Sequence, residues 1–264
     1  MTRAMTDDNT RRRLKEVALF LSRYAASLLA CGATTIRVEK NVERMAGAYA
    51  TTAEVTIFPL HIMMTVWDSE HNHSYTNSER ISGSGIDFAL NTALSTLSWR
   101  IADRRLPLPV AMRMFGRLMG RPRLNAQLVL LLVGLANASF CRLFGGDAVA
   151  MLIVFVATVD GFYMKNKLRS MRCDIRIATV VAACFSAVIA CSGFVFGWGD
   201  TPDVALATSV LYLVPGIPYI NAVSDMIHGH YICSVCRFIT AFILTACLAL
   251  GLCLAIILMD IQFF

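Results

Sequence analysis

The chain has 264 residues, 56% of them apolar and only 16% charged, with a formal net charge of +6 and a mean hydropathy of +0.59. Soluble domains usually carry about a quarter charged residues, so this composition excludes a wholly soluble globular protein. The apolar content is also uneven: residues 1–124 are ordinary and polar, whereas 125–264 are dominated by long apolar runs, which predicts a soluble domain (1–120) joined to a membrane domain (121–264).

Met1 to Arg13 is polar and the apolar positions that follow are interrupted by Arg23. No cleavable signal peptide is read there, and the N-terminal domain is expected to stay on the side where it is made. Leu14, Val17, Leu21, Ala25 and Leu28 recur at helical spacing, with Gly32 as the stop. Val38, Val42, Met45 and Tyr49 form a second helical stripe, with Thr34 or Thr35 as its cap. The period then changes to two. Ala53, Val55 and Ile57 alternate with polar residues, as do Leu60, Ile62, Met64 and Val66, and a further short strand is expected near Tyr75. Gly83 to Gly85 punctuates before a helix carrying Phe88, Leu94, Leu97 and Ile101. Pro107 and Pro109 open a last helix through Phe115 and Leu118. The domain reads as α+β.

Five spans are predicted, at about 124–143, 148–164, 177–196, 204–220 and 238–259, each near the ~20 residues a bilayer requires. The fold class is therefore an α+β cytoplasmic domain followed by an all-α transmembrane bundle of five helices, one of them broken. Basic residues set the orientation. Of the 24 lysines and arginines, 17 precede the first span, and Lys165, Lys167, Arg169, Arg172 and Arg176 fall between the second and third. This alternation places the N-terminus inside and the C-terminus outside. The positive charge then reflects topology and calls for no nucleic-acid partner, while contact with anionic lipid headgroups is compatible with it.

The fourth span is interrupted by Pro215, Gly216 and Pro218. Proline removes a backbone donor and clashes with the preceding turn, and broken backbone survives in a bilayer only where protein or a water-filled cavity satisfies it. Such breaks point to a transporter's binding site; a proline-kinked structural helix is the plainer reading. Asn221 and Asp225 follow at i, i+4, on one helix face. Asp160 lies in the second span, where ionisable groups are rare and usually functional, or pairs near the surface with Lys165. Asp147 follows Gly145 and Gly146 at the turn between the first two spans, as a site residue or as a helix cap. Asn137 and Ser139 suit hydrogen bonds between helices. His228 and His230 cluster with Asp225, as proton-linked groups or as solvated loop residues.

Catalytic signatures are not evident. The sequence contains no G-x-S-x-G, P-loop or H-E-x-x-H pattern. Ser82, Ser84 and Cys31 are nucleophiles by residue type alone, with no orienting base. His71 and His73 lie in a polar turn, and Cys233 and Cys236 match C-x-x-C without a second pair. Neither a metal nor another cofactor is expected, and the chain is not read as an enzyme.

The stretch Val214-Pro-Gly-Ile-Pro-Tyr-Ile-Asn-Ala-Val-Ser-Asp225 followed by Gly229-His230 resembles the signature of the threonine/serine exporter family. Leu143-Phe-Gly-Gly-Asp147 is similar to a second family segment, and Leu29-Ala-Cys-Gly-Ala33 through Arg37-Val-Glu39 to its N-terminal cytoplasmic domain. The resemblance covers about residues 10–258. With five spans where long members have about ten, the chain resembles the split, YjjP-like type of subunit, which is paired with a small, separately encoded YjjB-like membrane protein. The resemblance implies a multi-pass protein of the bacterial inner membrane, working in an oligomeric complex. The expected cargo is a small metabolite: threonine and serine for some members, succinate for the split pair. It carries Pro215, Gly216, Asn221, Asp225 and Asp147 over as substrate-binding or coupling positions, to which the residue-level reading adds Pro218 and Asp160. A membrane-tethered enzyme or sensor, with the soluble domain as its active part, is the alternative expectation.

Overall fold

The computed structural model describes residues 2–83, 85–122 and 124–261, with side chains from Asn9 onward. The described residues form two compact units, one comprising Met1–Pro122 with Ile217–Phe238 and the other Arg123–Gly216 with Ile239–Phe264.

In the first unit, α1 (Thr2–Ala30) and α2 (Thr35–Ala48) precede a meander of β1 (Thr51–Ile57), β2 (His61–Asp68) and β3 (Ser74–Arg80), followed by α3 (Phe88–Arg104) and α4 (Leu108–Met119). The sheet order is β1-β2-β3. Both pairings are antiparallel, with Val55 opposite Met64 and Val66 opposite Tyr75. The helical stripes read from the sequence face the core: Val17, Leu21 and Leu28 of α1, Val38, Val42 and Met45 of α2, and Leu94, Leu97 and Ile101 of α3 are buried with Ile62, Met64 and Val66 of the sheet. Burying side chains of this size contributes about 1.5–3 kcal/mol each.

Two expected core residues are exposed. Leu60 lies in the turn before β2, where its carbonyl accepts the Ile81 amide, and its side chain points out. Phe88 is the first residue of α3, ahead of the turns that pack. Tyr24 fills the centre of the core; its hydroxyl donates to Leu94 O at 2.9 Å and accepts from Asn41 Nδ2 at 3.0 Å. Burial pushes that hydroxyl well above the ordinary tyrosine range, so it stays a neutral donor.

The second unit begins with α5 (Ala126–Leu143) and α6 (Ala148–Ser170). Next come α7 (Ile175–Ala190) and its short continuation α8 (Ser192–Phe196), then α9 (Pro202–Thr208) and a 3-10 turn at Leu211–Leu213. After the break, α10 (Gly216–Ile227) belongs to the first unit from Ile217 on, and α11 (Tyr231–Leu258) starts in the first unit and continues in the second from Ile239. Among the described residues, four helices are long and apolar enough to cross a membrane: Ala126–Leu143, Ala148–Ser170, Ile175–Phe196 and Tyr231–Leu258. The pair Pro202–Leu213 and Gly216–Ile227 makes a fifth span if counted as one. The second span was expected to end near Met164, but its helix continues to Ser170. Apolarity marks lipid contact, whereas the backbone ladder runs on through Lys165 to Ser170.

Small residues hold the second unit together. Ala157 of α6 and Ala182, Ala183, Ala187 and Ala190 of α7 are fully buried. A Cβ on Gly161 would collide with Ser186 Oγ and Tyr212 Oη, and one on Gly251 would sit 2.5 Å from the Val180 carbonyl oxygen. Lipid tails are as apolar as leucine, so helices in a membrane associate through this kind of close backbone approach.

Candidate functional site

The interruption of the fourth span is built from two irregular stretches, one after Thr208 and one at Val214–Pro215. Each frees carbonyls that neighbouring helices must satisfy. Asn137 Nδ2 of α5 donates to Thr208 O at 3.0 Å and to Thr158 Oγ1 of α6 at 2.7 Å. Ser186 Oγ donates to Ala157 O at 2.9 Å, which leaves Tyr212 Oη to donate to Ser186 Oγ, also at 2.9 Å. Pro215 is buried. Gly216 is exposed, its amide donates to Val214 O at 2.9 Å, and a Cβ on it would meet nothing within 4 Å.

Within the first unit, the polar tail of the broken span meets the corner between α1 and α2. Asp225 is fully buried. Its Oδ1 accepts the Thr35 amide at 3.0 Å. Thr35 opens α2, and Thr34, the residue in the cap position, makes no side-chain cap bond; the helix is capped by a carboxylate 190 residues away in the sequence. The expected cap at Thr34 or Thr35 is thus right in position, but the capping group comes from elsewhere. Asp225 Oδ2 lies 3.3 Å from Arg237 Nε as an ion pair and accepts no hydrogen bond from the described residues.

The same corner is held at three further points. Arg237 Nη2 donates to Ala33 O at 3.1 Å, and Asn221 Nδ2 to Gly32 O at 2.9 Å. His230 Nε2 lies 3.2 Å from Glu39 Oε2. Burial pushes the Glu39 carboxyl up despite His230, and the nearby Asp225 and Glu43 add to the rise. Gly32 has φ +91 and ends α1, and a Cβ there would press on Ile86 at 3.2 Å. Ser234 Oγ donates to Ala222 O at 2.7 Å, joining α11 to α10.

The remaining expected site residues lie apart from this cluster. Pro218 is half-buried in the first turn of α10. Asp147 caps α6: Oδ1 accepts the Ala150 amide at 2.8 Å and the Thr201 hydroxyl at 3.1 Å, and Oδ2 accepts the Asp200 amide at 3.1 Å. The Ala150 and Asp200 amides hold its carboxyl below the usual range. Asp160 is exposed on α6, on the face that also shows Leu152, Val156 and Tyr163. It is about 20 Å along the helix from Asp147, so the two carboxylates do not share a site. The Cys31 thiol is buried and pushed up to about 11 by that burial, the opposite of what a reactive thiol requires. Ser82 is exposed, and Ser84 lies outside the described residues. His73 pairs with Asp68 at 3.1 Å in the β2–β3 turn.

Sequence reasoning did not single out Thr35, Gly32 or Arg237 as partners of Asn221 and Asp225. A signal existed for Arg237. It stands alone among the apolar residues that open α11, and a charge in such a segment calls for a partner.

The apolar helices, one of them broken, define a multi-pass membrane protein built for transport. The chain belongs to the threonine/serine exporter family: the model described as "Putative threonine/serine exporter" (ThrE) matches residues 19–259. The chain is similar to the "Probable succinate transporter subunit YjjP" of Klebsiella aerogenes, with 29% identity over 241 residues, 88% of this chain and 89% of that one. It is also similar to the protein of the same name from Escherichia coli strain K12, with 36% identity over 132 residues, 49% of this chain and 51% of that one. No solved structure matches.

Proposed function

We propose that this chain is one subunit of a bacterial inner-membrane exporter of small metabolites. The N-terminal domain (1–120) would be cytoplasmic, the spans would occupy 121–264, and the C-terminus would lie outside. The cargo classes in view are threonine and serine, from the family description, and succinate, from the names of the relatives. The word "subunit" in those names, and the odd number of spans if the broken pair counts as one, favour a second small multi-spanning membrane protein, YjjB-like, as the working partner.

The observation that carries the proposal is the buried carboxylate of Asp225, divided between the Thr35 amide and Arg237. It joins the tail of the broken span to the α1–α2 corner. Neutralising Asp225, by a proton or by an ammonium group of the cargo, would loosen Arg237 and free the tail to move. In this reading the break at Pro215, Gly216 and Pro218 supplies the flexible point. At the start of α10 the Gly216 amide is taken by Val214 O and Pro218 has no amide, which leaves the Ile217 amide as the first-turn donor suited to a carboxylate.

Asp225→Asn tests this. The amide keeps an oxygen for Thr35 but cannot carry the charge. Cells should lose export while membrane abundance and complex formation stay near normal. Asp203→Asn, a change at the exposed start of α9, should export normally. Normal export by Asp225→Asn would sink the coupling role.

A further inference from the structure

Beside the Asp225 cluster, which it meets at Thr34 and His228, α2 and α3 of the first unit line an open groove of 530 Å³ with Arg37, Lys40, Arg44 and Trp99. No acidic side chain lines it. Arg37 Nη1 donates to Asn91 Oδ1 at 2.9 Å. Arg44 Nη1 donates to Asn41 Oδ1 and to Ser98 Oγ, both at 2.8 Å, and its guanidinium lies 3.6 Å from the centroid of the Trp99 ring. Asn41, Asn91 and Ser98 are all buried.

These anchors are neutral. They fix the two guanidinium groups in place without cancelling their charge, and each arginine has five donors to distribute. None of Arg37, Lys40 and Arg44 forms an ion pair with a described carboxylate. Three uncompensated cations in one concave wall focus a positive field on whatever enters.

We infer that this groove is a binding site for a small dianionic carboxylate. Arg37, Lys40 and Arg44 follow at i, i+3 and i+7, so they share one face of α2. Their positions are about 4.5 and 6 Å apart along the helix axis, within reach of the two carboxylates of a four-carbon diacid. A planar arginine fork matches a carboxylate two bonds at a time. The groove also discriminates between the two cargo classes in view. A zwitterionic amino acid would place its ammonium among three cations with no carboxylate to receive it. That the bound diacid is the exported cargo rests on the proposed function; that the groove binds it does not.

The test uses the full chain in nanodiscs of zwitterionic lipid, with succinate binding read by calorimetry at low and high salt. Lys40 is the residue to change, because it is exposed and its replacement strands no buried acceptor, as loss of Arg37 would at Asn91. Saturable, salt-sensitive binding is expected. Lys40→Glu should weaken it at least about tenfold, the range for a lost charge-assisted contact, and Lys40→Arg should retain it. Lys15→Glu, the same charge change on the exposed side of α1, should leave it intact. Threonine should not compete, and inorganic phosphate should compete less well than succinate. No binding by the wild-type chain, a Lys40→Glu chain that binds normally, an equal loss in Lys15→Glu, or equal competition by threonine or phosphate would each overturn the inference. A chain that binds succinate but exports nothing with its partner would overturn the export reading alone.

Discussion

Asn221 Nδ2 donates to the carbonyl of Gly32, 189 residues earlier, at 2.9 Å. That carbonyl lies where α1 ends and the chain turns through φ +91, so it has no helical partner of its own. Asn221→Ala should lower the stability of the solubilised protein by about 1–2 kcal/mol, the cost of stranding such an acceptor. Asn221→Asp should cost more, because a carboxylate would then face a carbonyl oxygen. Thermal unfolding of both variants checks the order; equal midpoints would remove the bond from consideration.

Asp225 is buried and Arg237, its partner in the ion pair, is half-buried, and a buried carboxylate left without its cation is strongly unfavourable. Arg237→Gln should therefore destabilise the chain more than the double change Asp225→Asn with Arg237→Gln. A double-mutant cycle on chemical unfolding should return a coupling of about 1–3 kcal/mol. Additive effects would mean that the Thr35 amide alone holds the carboxylate.

The two glycines bordering the break give opposite expectations. A methyl on Gly216 meets open space, while one on Gly161 collides with Ser186 and Tyr212. Gly216→Ala should fold like the parent, so any fall in export would report on the free space at the break. Gly161→Ala should cost about 1–3 kcal/mol by overpacking, visible as a lower unfolding midpoint. The prediction fails if the two midpoints coincide.

Glu39 adds a pH dependence with a definite sign. Burial raises its carboxyl above the ordinary value, so the folded chain binds the proton more tightly than the unfolded chain. This contribution is fully present below the unfolded value of about 4.3 and is lost as pH rises through the raised one. Glu39→Gln should flatten the stability profile across that window. A profile that instead steepens would mean that the contact with His230 outweighs burial.

Much of the fold was legible because its signals are local. The stripes of α1 and α2, the alternation around Met64 and the Pro-Gly interruption each depend on neighbours a few residues apart. Leu60 was misplaced because an alternating run does not announce where its turn begins. The candidate cluster was half legible. Asn221 and Asp225 could be placed on one face, but their partners Gly32 and Thr35 lie some 190 residues away, and no short-range pattern connects them. The basic spacing of Arg37, Lys40 and Arg44 was also present in the sequence. It stood on the polar side of a helix read for its apolar stripe, and only the neutral anchors Asn41, Asn91 and Ser98 give it a shape.

The bonds from Asn137 to Thr208 and from Ser186 to Ala157 and Tyr212 also bear on engineering. The interruption is not a property of one segment. Its loose carbonyl at Thr208 is closed by α5, and the Tyr212 hydroxyl after it is met by α7. A graft of residues 202–216 into a foreign bundle would arrive with that carbonyl unanswered and would straighten, slip or be degraded. The smallest transplantable module is the segment together with Asn137, Thr158, Gly161 and Ser186 on their three helices. Natural variation at the kink should accordingly be constrained in sets of positions rather than one position at a time.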